Sequence, residues 1–209
     1  MTAMRILITT ALSSFLLVSA APDGNPARAT GLRMTPAADL MRLAGSWYEL
    51  ARTPNRLADV VHRQNGRDYS ACYNVKVNYS VESAEKVRIT SSCSRQSAQG
   101  DVIRDVIDGM ALVLEGARNL KFKVAFGGSA AIRGLQRLLT GGGKIYSIYC
   151  LGPVNGNGRY EWLVGGDPER RFVFLLTRDK TVPKETQSGM LDCARSKGVP
   201  VSQLMFLQR

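Results

Sequence analysis

Between residues 72 and 81 the chain reads CYNVKVNYSV, and its apolar positions recur at every second residue. Tyr73, Val75, Val77 and Tyr79 alternate with Cys72, Asn74, Lys76 and Asn78. A period of two marks a β-strand with one buried face. KVRIT, at 86–90, resumes the pattern after the turn residues Glu82-Ser83-Ala84-Glu85, so the two segments form a hairpin. Further strands are predicted at 46–53, 102–114, 120–126, 145–151, 159–165 and 171–177, with turns such as GPVNGNG (152–158) and GGDPER (165–170) between them. Eight strands in series joined by turns suit an all-β, antiparallel up-and-down β-barrel, because closing the sheet removes the unpaired edges that an open one exposes. The period turns helical on either side of this series. A brief turn at 39–43 precedes the first strand, and a C-terminal α-helix is predicted at 183–197, begun by Pro183 and stopped by Gly198 and Pro200. Met190, Cys193, Ala194 and Lys197 fall on one stripe of that helix, and a short final strand follows at 201–207.

The N-terminus follows a different pattern. Arg5 precedes an apolar run, 6–18, that ends in Val18-Ser19-Ala20 before Ala21-Pro22, the order of a secretory signal. The run is too short to span a bilayer core of roughly 30 Å. The expected organisation is a signal peptide at 1–20, a flexible Pro/Gly/Ala/Arg leader at 21–38 and one barrel domain at 39–209. No cysteine stands at the cleavage point, so a lipoprotein is not indicated.

Export gives the four cysteines a meaning. In an oxidising compartment Cys72, Cys93, Cys150 and Cys193 pair into two bridges, in any of three ways. Without a CxxC or Cys/His spacing, and with His62 the sole histidine, metal binding is disfavoured and no cofactor is expected. The formal charge of +11 attracts the chain to anionic surfaces such as lipid headgroups. Nucleic acid is discounted, because the basic residues are scattered and the compartment is wrong.

GSWYELAR, at 45–52, opens the first strand, and LLTR follows at 175–178. With DLMRLAGSWYELARTPNR (39–56), VNYSV (77–81), NLKFKVAFGG (119–128), RFVFLLTRDKTVP (171–183) and CARSKGVPVSQL (193–204), these stretches run through the domain in order. In them the chain resembles the lipocalins, specifically the bacterial, apolipoprotein D-like branch. The resemblance implies that Gly45 and Trp47 form the closed end, with Trp47 as a plug and Arg178 across its face. It also implies cysteines in the places of Cys72 and Cys93, which sit at nearly equal distances from the hairpin turn at 82–85. Strict alternation puts those two on opposite faces unless a bulge intervenes. The remaining pair is then Cys150–Cys193, tying the sixth strand to the C-terminal helix. A departure from the family is SAAIRGLQRLLT, 129–140, whose apolar and basic positions make a short amphipathic helix. It stands at the barrel mouth, as a lid that touches membrane or as a helix packed on the rim.

Eight strands leave room for one small ligand when the inward side chains do not fill the barrel. Alternation turns Ala51 inward and nominates Glu49, Tyr73, Val75, Val77, Met110, Leu112, Phe122, Phe126, Tyr149, Trp162 and Phe174 as ligand-binding wall residues, and it turns Tyr48 and Arg52 outward. An apolar wall with one carboxylate fits a fatty acid or a lysophospholipid, held for transport or storage in the cell envelope, in the periplasm or at the outer-membrane periphery. Three alternatives stand beside it. The first is a haem or tetrapyrrole binder with His62 as axial ligand. The second is a lipid-modifying enzyme resting on Glu49 or a free Cys93. The third is an occluded barrel that docks on an envelope component. No catalytic residue is nominated, because no nucleophile, base and orienting group come together in the sequence.

Overall fold

The computed structural model describes residues 36–54, 58–114, 120–127 and 142–207. The expected signal peptide, most of the leader and the 129–140 helix lie outside these residues. Helix α1, Pro36–Leu43, opens the described chain and begins in what the sequence reads as the end of the leader. Strand β1, Gly45–Arg52, follows it directly. A small hairpin that alternation did not predict, β2 (His62–Gln64) and β3 (Arg67–Tyr69), occupies the connection to β4, Tyr73–Ser83. The meander continues through β5 (Lys86–Gln96), β6 (Val102–Val113), β7 (Lys121–Phe126), β8 (Lys144–Leu151), β9 (Trp162–Gly166) and β10 (Val173–Thr177). Each strand pairs antiparallel with the next, and β10 pairs back onto β1, with Tyr48 opposite Thr177. The eight strands β1 and β4 to β10 therefore close into a barrel with no free edge.

Helix α2, Lys184–Ser196, lies where the sequence placed it. The final strand is shorter than expected. Residues Val201–Gln203 form a 3₁₀ turn and only β11, Met205–Phe206, pairs, against Ala51 and Arg52 of β1. Pro200 supplies the turn start, where its missing N–H costs nothing.

Two apolar layers result. Inside the barrel Trp47, Val87, Ile89, Phe122, Val124, Ile148 and Leu163 pack together with Leu40 and Leu43 of α1. Outside it, Met190 and Ala194 of α2 cover Leu50, Ala51, Val164, Val173 and Leu175. The strands beneath α2 are thus buried on both faces. The Cys150–Cys193 disulfide, with a Cα separation of 6.4 Å, fastens α2 to β8, and Cys72–Cys93, at 5.5 Å, fastens the start of β4 to β5. Mutating Cys150 and Cys193 together to serine is expected to lower stability by about 2–4 kcal/mol, chiefly by freeing the unfolded chain. A urea titration checks this: the midpoint should fall while the Cys72–Cys93 bridge remains.

The closed end is built as the resemblance implies. Trp47 is fully buried and donates its indole N–H to the Leu43 carbonyl at 2.8 Å. The Arg178 guanidinium lies 3.5 Å from the centroid of the Trp47 ring. It donates to the carbonyls of Tyr160 (3.0 Å), Ser46 (2.9 Å), Arg42 (2.9 Å) and Leu43 (3.3 Å), so one side chain joins α1, β1 and the β8–β9 turn. Burial, and then the nearby Arg159, push the Arg178 pKa down to about 10. It is still charged at neutral pH, as a cation over an aromatic face requires. Gly45 has φ 95°, in the left-handed region, and a Cβ there would meet the Arg159 and Arg178 guanidinium groups. Only glycine allows β1 to start under that clasp.

Candidate functional site

The strands enclose a cavity of about 440 Å³, within the roughly 300–1,000 Å³ of sites that take one small ligand. Leu40 and Leu43 of α1 close its floor. The wall above is apolar, with a group of aromatics on one side: the Tyr146 and Phe172 ring centroids are 5.8 Å apart, and those of Phe172 and Phe174 are 5.7 Å apart. Burial, and secondarily Asp167, hold the Tyr146 hydroxyl above the usual phenol range, so it stays a neutral donor at the wall.

Of the wall residues expected from alternation, Glu49, Val75, Val77, Phe122, Phe126 and Phe174 line the cavity. Ala51, Tyr73, Met110, Leu112, Tyr149 and Trp162 do not. Each miss is a parity error with a physical cause. On β4 the register shifts between Tyr73 and Lys76, where three steps oppose the two from Ser94 to Ser92, and Asn74 takes φ 49°. This bulge turns Tyr73 off the wall and Cys72 onto it, which reconciles Cys72 with Cys93. On β8 a second shift, between Ile148 and Cys150, sends Tyr149 outward beside Cys150 into the layer under α2. Trp162 and Met110 sit in unbroken apolar runs, WLV and MALV, that carry no alternation to read. Leu163 faces inward while Trp162 packs on the α2 side, and Ala111 faces inward while Met110 packs with Ala125 and Leu112 outside.

The most consequential correction is on β1. Its register against β10 shifts between Glu49 and Ala51, so Leu50 and Ala51 both face the α2 layer. Arg52 then returns to the inside, where it lines the cavity with Glu49 instead of pointing away. Arg52 is 1% exposed and Glu49 8%. The Arg52 Nη1 donates to Glu49 Oε2 at 2.7 Å, its Nε donates to Asp59 Oδ2 at 3.4 Å, and its Nη2 donates to Asp59 Oδ1. One cation is thus shared by two carboxylates. Burial pushes the Glu49 pKa up to about 7 against the pull of Arg52, and Asp59 adds to the rise. Burial of Arg52 lowers its own pKa, but the bonds to Asp59 and Glu49 more than offset this and leave it raised. The Tyr79 hydroxyl, also on the wall, is held well above the phenol range by burial and then by Glu49. In the sequence the only sign of this group was an acid and an arginine three residues apart in a strand.

The mouth is crossed by the connection from β1 to β4. Arg52 grips it at Asp59. From β5, two strands away from β1 around the barrel, Arg95, itself buried, donates to the carbonyls of Val60 and Ser70, each at 2.9 Å, and pairs with Asp105 at 2.6 Å. Ala58 accepts from the Cys72 amide at 2.8 Å. His62 lies on the cavity wall in this region and offers an imidazole nitrogen there. Cys72, Cys93 and Asp105 come close enough to hold an ion, but both sulfurs are spent in the disulfide and cannot serve as thiolates.

The lipocalin-like domain family matches residues 38–209. A candidate lipocalin of Acanthamoeba polyphaga mimivirus is 23% identical over 167 residues, which cover 80% of this chain and 82% of that one. Two solved structures, apocrustacyanin C2 and apocrustacyanin C1, each superpose with a TM-score of 0.51 at 15% identity, over 84% of this chain and 81% of theirs. At that identity the structural likeness speaks for the fold alone.

Proposed function

The chain belongs to the lipocalin-like family, and on that premise we propose that its barrel binds one elongated amphiphile, a fatty acid or a lysophospholipid, for transport or storage in a bacterial cell envelope. The carrying observation is the unfilled apolar cavity of about 440 Å³ with the Glu49–Arg52–Asp59 group as its polar feature. Apolar walls supply affinity, and a few placed polar groups orient the ligand. Two disulfides fit an oxidising compartment. With the signal-like N-terminus they support export to the periplasm, and the +11 charge supports approach to anionic membrane. GSWYELAR and LLTR support the apolipoprotein D-like branch. The two disulfides consume all four thiols, so no cysteine nucleophile is on offer, and binding is the reading that the apolar wall supports.

Native mass spectrometry of protein purified from its source tests this reading. A co-purifying lipid of one chain supports it, and an empty barrel that also ignores added fatty acid overturns it. A filled lumen should abolish binding. Ala111 is 1% exposed and on the cavity wall, so Ala111→Trp is expected to weaken displacement of a lumenal fluorescent probe by palmitate about tenfold or more, at a stability cost of about 1–3 kcal/mol. An unchanged affinity with native circular dichroism would place the ligand elsewhere.

A further inference from the structure

Inside the barrel, Arg52 makes three hydrogen bonds, to Glu49 and twice to Asp59. A guanidinium has five N–H groups, so two more remain on a side chain that lines the cavity. β1 runs from Trp47 at the closed end toward the mouth. At about 3.4 Å per residue, Glu49 stands about 7 Å and Arg52 no more than about 17 Å beyond that plug. A ligand with its tail on the apolar floor at Leu40 and Leu43 therefore brings its head to Arg52.

Charge decides which head is accepted. With both carboxylates ionised, two negative charges face the one guanidinium that they share, which disfavours a further anion beside it. A proton on Glu49 removes one of those negative charges, leaves Asp59 on two of the five Arg52 N–H groups, and makes the Glu49 hydroxyl a donor. We propose that Glu49, Arg52 and Asp59 form the head-group site for an amphiphile with an anionic head, a carboxylate foremost, and that the head binds with uptake of one proton by Glu49. The proposal rests on the lumenal-ligand reading and goes further in naming the head group and its release by deprotonation. The other polar groups around Glu49 agree with it. Tyr79 faces it from β4 as a neutral phenol, while Leu176, its partner on β10, is apolar. The charged Arg95 and Asp105 at the mouth are paired with each other, and His62 lines the same end. The Glu49 pKa near 7 puts the transition at neutral pH, where a modest change of pH loads or unloads the site.

The test uses probes whose own charge is constant. Dodecanesulfonate stays ionised and dodecanol stays neutral across the range, and each is titrated against a bound N-phenylnaphthylamine reporter at about pH 6 and about pH 8. Dodecanesulfonate is expected to bind about tenfold more weakly at the higher pH, since a Glu49 titrating near 7 is mostly protonated at the lower and mostly ionised at the higher. Dodecanol should bind equally at both. Glu49→Gln, which keeps the donor and cannot ionise, should bind dodecanesulfonate with the same affinity at the two pH values. If wild-type protein binds dodecanol but shows no pH dependence for dodecanesulfonate, or if the dependence persists in Glu49→Gln, the proton-coupled site is wrong and the lumenal reading survives. If dodecanol does not displace the reporter at all, the lumenal reading fails and this site with it.

Discussion

Trp47→Ala is expected to lower the unfolding free energy by about 3–5 kcal/mol, the range for deleting a large buried aromatic whose neighbours relax only partly. Three losses coincide. The ring is fully buried against α1 and the barrel interior. Its N–H leaves the Leu43 carbonyl short of a donor, although Arg178 retains a weaker bond to it. The Arg178 guanidinium also loses the aromatic face 3.5 Å beneath it, a contact worth about 0.5–2 kcal/mol. The closed end opens directly onto the ligand cavity, so binding should weaken as well. Equilibrium unfolding in urea reads the first effect, and a loss below about 1 kcal/mol would show that Trp47 is not the plug.

The second large effect is at Arg52. Arg52→Met keeps bulk but removes the cation that bridges Glu49 and Asp59. Breaking a buried ion pair from one side costs about 3–5 kcal/mol at neutral pH, because the partner charge stays behind and loses this cation. The cost should shrink in acid, where carboxylates stripped of their cation take up protons instead of remaining charged in the lumen. It should also shrink when Glu49→Gln and Asp59→Asn accompany Arg52→Met, since nothing ionised is then left to compensate. Thermal unfolding of the single and triple variants at two pH values measures both. A triple variant no more stable than Arg52→Met would mean that Arg52 acts through packing and not through charge.

How far the site could be read from the sequence follows from where each strand is buried. β7 and β10 kept their parity, and Phe122, Phe126 and Phe174 were placed on the wall correctly. Met110 and Trp162 were not, because MALV and WLV are apolar on both faces. Met110 sits in a small outer cluster and Trp162 under α2. A strand covered on both sides reads as a continuous apolar run, and the inner face leaves no mark in it. Bulges mislead differently. At Leu50 and near Asn74 one extra residue reverses the face of everything beyond it. For that reason Arg52 reads as an outward arginine in the sequence and is in fact the centre of the buried charge.

The strand series and its closure, the closed end under Trp47 and Arg178, and the C-terminal helix are legible in the sequence alone. Each rests on local periods, turn residues or a recognisable motif. Both disulfide pairings were also expected correctly, once the motif had named the family. Which side chains face the cavity, and that Glu49, Arg52 and Asp59 meet there, emerge from strand pairing in the folded chain. Face depends on register, and register is set by pairing with a neighbouring strand that is distant in sequence. The proton affinity of Glu49 likewise comes from burial and from a carboxylate in another segment, neither of which a single strand encodes.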